Sequence, residues 1–337
     1  MGIIRAIHLT KRIDQSTEVV VASCFALVLM IGCQSSHEAD AEFSIYLLAD
    51  ESTSYMDASN QDLGTLELNA EPWLSIEDIA MYDFSSHIIY LKGTNEVLFE
   101  GMVNDFGVFE DFLLKPFVIS AGNQRILLGS FYSMLSSTIP QGPFIGDMMM
   151  LFPEDILPMG YYQRWGEPDL RENDKIRSAL IAGGVYHGGL DVELLDMDVV
   201  ENTDTSTIQY TFRVTNIDSD NLYILDPDLV GTEMFHYYTN GIVLRDAVGH
   251  PYQSEYKLVA GPNPYDSWSE NWYTRLNKGA TIQRTILLKG YPQLPHGVYT
   301  GSFVFSGPSR IERNVRDHGG GRYWIGSVSS NAITASF

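Results

Sequence analysis

The spacing of apolar and polar positions changes character along this 337-residue chain. Residues 43–48 read FSIYLL, a short apolar run that predicts a strand. After a polar stretch to Asp62, Leu66 and Leu68 alternate with polar neighbours. Ser75 with Asp78 has capping-box spacing, so a short helix is expected over 76–81. Residues 87–91 (HIIYL) return to strand character. Residues 115–120 and 125–128 flank Ala121-Gly122-Asn123-Gln124, a hairpin signal, and residues 129–132 extend the second arm. From Met134 to Pro158 the chain is broken by Pro140, Pro143, Pro153 and Pro158 and reads as loop. Residues 170–181 carry Glu172, Asp174, Lys175 and Arg177 on one polar face and predict a helix, which Gly183-Gly184 ends. Residues 43–182 are thus expected to form a small α+β domain.

Residues 183–189, GGVYHGG, make the best domain boundary and are expected to be a Gly-rich linker. Beyond them the pattern is all-β. A strand begins at 190–200, and in the next one Ile208, Tyr210, Phe212 and Val214 alternate with Gln209, Thr211 and Arg213, the signature of a half-buried strand. A polar turn at 216–221 leads to LYIL at 222–225. Further strands are expected at 242–244, 256–259, 281–288, 322–328 and 332–336. Residues 297–305 place Tyr299, Phe303 and Phe305 on one face with Gly301 between them. This series predicts a β-sandwich of Ig-like type over 190–337. The stretch between Leu225 and Thr281 is long for a sandwich connection, and long loops on rigid scaffolds are frequent sites of function.

The front of the chain is of another kind. Arg5, Lys11 and Arg12 precede an apolar run from Val19 to Ile31, the layout of a secretory signal and too short to span a bilayer. The run ends in Leu29-Met30-Ile31-Gly32-Cys33, which resembles a bacterial lipobox, with Met30 at −3 where leucine is more usual. The resemblance implies a signal peptide over 1–32, diacylation of the Cys33 thiol, cleavage before Cys33 and acylation of the new amino terminus. Residues 33–42 would then be a tether. Several acyl chains anchor stably where one binds only marginally. A plain secretory signal and an uncleaved anchor are the alternatives. Gln34 after the cysteine does not resemble an inner-membrane retention signal, which favours the outer membrane in a Gram-negative cell. The pieces FSIYLL, EPWLSIEDI, HIIYL and KPFVISAGNQRILLGSFYSMLSS resemble the first domain of uncharacterised bacterial envelope lipoproteins. TIQYTFRVTN and LPHGVYTGSFVF resemble Ig-like modules of envelope proteins, including a bacterial proteinase-inhibitor type. Neither resemblance implies an activity.

Charge narrows the partners. The chain carries a formal −22, and removal of residues 1–32 would leave one more negative charge. Such an excess opposes nucleic-acid binding and attracts cations. The two cysteines are Cys24, inside the signal, and Cys33, the lipid acceptor. No thiol would remain for a disulfide, a nucleophile or a metal.

Three constellations are candidates for chemistry. Asp218, Asp220, Asp226 and Asp228 form an acidic run that offers oxygens to Ca²⁺, although it fails the EF-hand pattern at the required glycine and final glutamate. Asp226-Pro227-Asp228 is also a common turn. Tyr237, Tyr238, Trp268, Trp272 and Tyr273 are candidates for stacking on a glycan or peptide; sandwich core is their ordinary alternative. Arg310, Arg313, Arg316 and Arg322 surround Gly319-Gly320-Gly321 and offer an anion site, with a hairpin of solvated arginines as the alternative. Eight histidines, among them His87, His187 and His236, form no HxH or HExxH spacing, and no GxSxG, P-loop or GxGxxG motif occurs. The reading is a membrane-anchored envelope lipoprotein with a non-enzymatic binding or structural role and an unknown protein or glycan partner. The alternative is a surface hydrolase that acts on glycans through unassigned carboxylates. Metabolic labelling with an acyl precursor is expected to mark the chain and to be lost in Cys33→Ala, with globomycin blocking maturation; labelling that persists in the variant would refute the lipid site.

Overall fold

The computed structural model describes residues 42–103, 109, 113–133, 136–137, 139–147, 152–162, 168–255 and 268–337. Cys33 and the segment before it lie outside them, as does the strand expected at 256–259. The described chain is mostly β, arranged in several sheets. Among the described residues no helix is long and apolar enough to cross a membrane.

Among the described residues the first half forms one nine-stranded sheet. Its strands are β1 (Phe43–Leu47), β2 (Leu74–Ser75), β3 (Ile79–Asp83), β4 (Ile88–Leu91), β5 (Pro116–Ala121), β6 (Gln124–Tyr132), β7 (Pro143–Gly146), β8 (Ile156–Tyr161) and β9 (Tyr186–His187). They lie in the order β2-β1-β5-β6-β7-β8-β4-β3-β9. β2 and β3 sit near opposite ends of that order, yet only Ile76–Asp78 separates them in sequence. Four residue steps reach at most about 14 Å, so the sheet must curl until its ends nearly meet. One apolar cluster fills the curl, with contributions from nearly every strand: Phe43 and Ile45, Ile89 and Leu91, Phe117 and Ile119, Phe131, Ile145, Leu157 and Met159. The helix Asp174–Ala182 presents Ile176, Ala179 and Leu180 to the same cluster, and Asn173 caps it.

Local sequence explains where expectation and structure part. Ser75 and Asp78 do form the capping box, but it closes a single 3₁₀ turn and the chain then enters β3 in place of a helix. A bulge between Ile79 and Met81 lets Ile79 and Tyr82, three apart, both reach the core. The stretch expected to be loop, 134–158, holds β7 and the start of β8. Pro143 opens β7, a position where a missing N–H is tolerated. The first half is accordingly richer in strand than an α+β domain: its longest described helix has nine residues.

The second half begins with two long strands, β10 (Leu190–Asn202) and β11 (Thr205–Asn216), followed by β12 (Asn221–Leu225), β13 (Ile242–Asp246), β14 (Pro251–Tyr252), β15 (Tyr273–Leu276), β16 (Thr281–Pro292), β17 (Val298–Ser306), β18 (Asp317–His318), β19 (Gly321–Tyr323), β20 (Ser327–Ser329) and β21 (Ile333–Ser336). One sheet is β10-β11-β16; a second is β14-β13-β17-β20, with β21 also on β17. The alternating faces of β11 and β17 meet in one core, where the Phe212 and Phe303 rings lie 4.9 Å apart. A small third sheet, β15-β12-β19-β18, pairs β12 and β19 in parallel. The long stretch after Leu225 contains a helix the polarity pattern did not reveal, Thr232–Thr239, which buries Phe235 and ends on left-handed Asn240.

Every residue of β4 is buried because both faces are covered. Ile89 and Leu91 point into the curl, while Ile88 and Tyr90 pack with Ile156 against Tyr273, Ile311, Tyr323 and Ile325 of the second half. The β3–β4 hairpin ends on His87, in a left-handed conformation at φ 52°. His87 is buried with its Nδ1 3.2 Å from the Tyr82 hydroxyl. Burial, helped by the Arg171 charge and opposed by Asp169, pushes its imidazole down to about 3. An unfolded histidine binds its proton near 6.5, so between those values the unfolded chain holds one proton more. Stability from His87 is therefore complete above about pH 6.5 and falls with pH by up to about 1.4 kcal/mol per unit until the native imidazole titrates. Urea unfolding of His87→Gln across pH 6 to 4 is expected to show a shallower pH slope than wild type, whatever its absolute stability; an equal slope would refute the assignment.

Candidate functional site

Among the described residues, buried charges gather where the two halves meet. Asp83 ends β3 and Arg322 sits on β19; Asp218 lies in the turn after β11. Arg322 Nη2 donates to Asp83 Oδ2 at 2.6 Å and to Asp218 Oδ2 at 2.8 Å. Its guanidinium lies 5.6 Å from the centre of the Tyr90 ring, and that of Arg316 lies 4.8 Å from it. Arg316 in turn binds Asp155, with Nη1 donating to Oδ1 at 3.4 Å and Nη2 to Oδ2. Tyr90 thus lies close to two buried cations that belong to the other half of the chain.

Both oxygens of Asp83 and of Asp218 accept hydrogen bonds. Asp218 Oδ2 also accepts the Gly189 N–H at 3.0 Å, and Oδ1 accepts the Asp220 N–H at 2.9 Å. Asp83 Oδ1 accepts from Ser85 Oγ at 2.8 Å and from the Ser86 N–H at 3.2 Å. Burial by itself would raise the Asp218 carboxyl; the His187 hydrogen bond, the Arg322 charge and the Asp220 amide outweigh it and hold the group well below the usual carboxylate range. Burial would likewise favour loss of the Arg322 proton, and Asp83, Tyr90 and Asp218 reverse that.

The Gly-rich stretch 183–189 is part of this joint. Tyr186–His187 is β9, paired in parallel with β3. Gly189 has φ +73°, and a Cβ there would lie 2.1 Å from Ser85 Oγ and 2.3 Å from Asp83 Oδ1. A Cβ on Gly188 would lie 2.4 Å from the Ile217 carbonyl oxygen. These glycines serve close approach between backbones and side chains.

The residues singled out from sequence fall into different places. Arg316 and Arg322 are buried and committed to aspartates, which overturns an anion-gripping or solvated loop for those two; Arg310 is exposed, and Arg313 is 57% exposed with its Nε 3.8 Å from Asp155. The four acids do not converge on one calcium. Asp226 caps Pro227–Val230 and is bound by Arg284 through Nε at 2.8 Å and Nη2 at 2.6 Å, and Asp228 lies 2.9 Å from the same Nε. Asp218 and Asp220 sit apart from these, beside His187, a neighbour that sequence spacing did not single out. Nor do the five aromatics make one exposed platform. Tyr273 is buried, its ring 4.8 Å from Tyr323, and Trp268 packs 5.3 Å from Tyr323 at the joint. Tyr238 and Trp272 pair at 6.2 Å and pack on the second-half core, with Tyr237 5.4 Å from Tyr238.

Ser219, His187 and Asp218 have the residue types of a nucleophilic triad without its geometry. Ser219 Oγ at 3.3 Å and Asp218 Oδ1 at 2.8 Å both approach Nδ1, whereas a triad uses the two ring nitrogens separately.

No family model matches the chain, and no curated protein sequence matches it. Among solved structures, the X-ray structure of Northeast Structural Genomics Consortium target SoR45 aligns at 13% identity with a TM-score of 0.24, covering 44% of this chain and 87% of that one. At that score the likeness bears on neither fold nor function.

The joint makes a specific energetic demand. Arg322→Ala would leave two carboxylates buried without their cation, and removal of one partner from a buried ion pair costs about 3–5 kcal/mol. Urea denaturation is expected to show a loss of that order for Arg322→Ala. Lys175→Ala, at an exposed side chain, is expected to stay within about 0.5 kcal/mol of wild type. Equal effects at the two positions would refute the role of the joint.

Proposed function

We propose that this chain is a lipid-anchored bacterial envelope protein with a non-enzymatic binding or structural role, held to the membrane through Cys33. In this reading the first half is a strand-rich α+β domain and the second an Ig-like sandwich, with β10-β11-β16 facing β14-β13-β17-β20 across a shared core. The observation that carries the role is the joint. Asp83, Asp155, Asp218, Arg316 and Arg322 are all buried and committed to holding one half against the other. Groups of that kind, locked by two or more partners each, make a rigid unit suited to presenting loops and edges to a partner. The excess of negative charge suits a cationic or polar partner and opposes nucleic acid.

The reading is tested by chemical cross-linking of the full-length protein in its native envelope, alongside assay of the purified protein on envelope glycans. A reproducible cross-linked partner, with no release of reducing ends, is the expected result. Release of reducing ends that is lost on substitution of a pair of carboxylates about 5–10 Å apart would replace the reading with a surface glycan hydrolase.

A further inference from the structure

His187 on β9 and the aspartates of the β11–β12 turn bring metal-ligating atoms together from both halves of the chain. His187, Asp218 and Asp220 each offer one such atom, and these all lie within 4.8 Å of one another. His187 Nδ1 is 2.8 Å from Asp218 Oδ1 and 3.6 Å from Asp220 Oδ2. Ser219 Oγ lies 3.3 Å from both His187 Nδ1 and Asp218 Oδ1. Around a tetrahedral ion with bonds of about 2.0–2.1 Å, adjacent ligand atoms are about 3.3–3.4 Å apart, and the observed separations bracket that value.

Charge supports a cation here. The Asp83 and Asp218 side chains are fully buried and share one guanidinium, Arg322, so the joint holds one uncompensated negative charge before Asp220 is counted. The half-exposed Asp220 adds another, and its carboxylate contacts His187. Asp218 is also braced as a ligand needs to be. Arg322 and the Gly189 N–H hold Oδ2, the Asp220 N–H holds Oδ1, and the remaining contacts of Oδ1, from His187 Nδ1 and the Ser219 hydroxyl, are those an ion between these groups would take over. An imidazole among carboxylates selects a transition metal over calcium or magnesium.

We propose that His187, Asp218 and Asp220 bind a divalent transition-metal ion of the zinc class, with the Ser219 hydroxyl in reach as a fourth donor. The ion clamps β9 of the first half to the β11–β12 turn of the second. It replaces the His187 Nδ1–H···Oδ1 contact, so the imidazole binds through its Nδ1 lone pair and any proton there is released to solvent. The clamp does not depend on lipid anchoring or on the envelope reading.

The test uses the full chain, purified in detergent and stripped with EDTA, then titrated with zinc chloride in a calorimeter and with cobalt chloride by visible absorption. One equivalent of zinc is expected per chain, with a rise in Tm, while calcium at the same concentration leaves Tm unchanged. Asp220→Asn keeps the backbone amide and is expected to leave the metal-free Tm in place while weakening zinc binding at least about tenfold. His187→Ala is expected to abolish the tetrahedral cobalt absorption. Absence of zinc uptake, uptake that is equal in both variants and wild type, or an equal response to calcium would overturn the proposal.

Discussion

Arg322 is the residue on which the arrangement of the two halves turns. Its guanidinium bridges Asp83 of the first sheet and Asp218 of the second half, and its charge lies near the Tyr90 ring, which Arg316 also approaches. A buried ion pair is not by itself strong evidence of stability, because desolvation offsets much of the attraction. What it does enforce is geometry. Two buried carboxylates demand a donor at hydrogen-bond distance, and other ways of placing the halves would leave them without Arg322. The apolar packing of Ile88, Tyr90 and Ile156 against Tyr273, Tyr323 and Ile325 supplies burial without direction, and Arg322 supplies the register.

The same joint explains features that look unrelated one at a time. β4 is apolar at every position because it is a wall shared by two cores. The glycines at 188 and 189 are required by contacts with Ile217, Ser85 and Asp83, so a stretch with the composition of a flexible linker is held in place. The capping box at Ser75 stops after one turn because the strand that follows must close the curl opposite β2. Each is a local sequence signal read correctly in chemistry and overruled in extent by packing.

The candidate chemistry shows the same division. Arginines near a glycine run, acids in a turn and rings in a loop are each a fair sign of a site when only composition is visible. In the folded chain Arg316 and Arg322 meet aspartates, Asp226 and Asp228 meet Arg284, and Tyr273 meets Tyr323. His187, Asp218 and Asp220 lie together at the seam, with Asp220 half open to solvent and Asp218 buried.

Alternation along 208–214 and 299–305, the hairpin at Gly122-Asn123 and the end of the helix at Gly183 were legible in the residues themselves, because period and turn chemistry act over a few positions. The apolar run that ends at Cys33 is likewise a local pattern, and it carries the expectation of a lipid anchor. Contacts between distant positions were not legible. Arg322 reaches Asp83 across 239 positions, Arg316 reaches Asp155 across 161, and His187 reaches Asp218 across 31. Charge and periodicity state that such residues need partners; only the closing of one sheet upon itself and the docking of the next decides which partners they find.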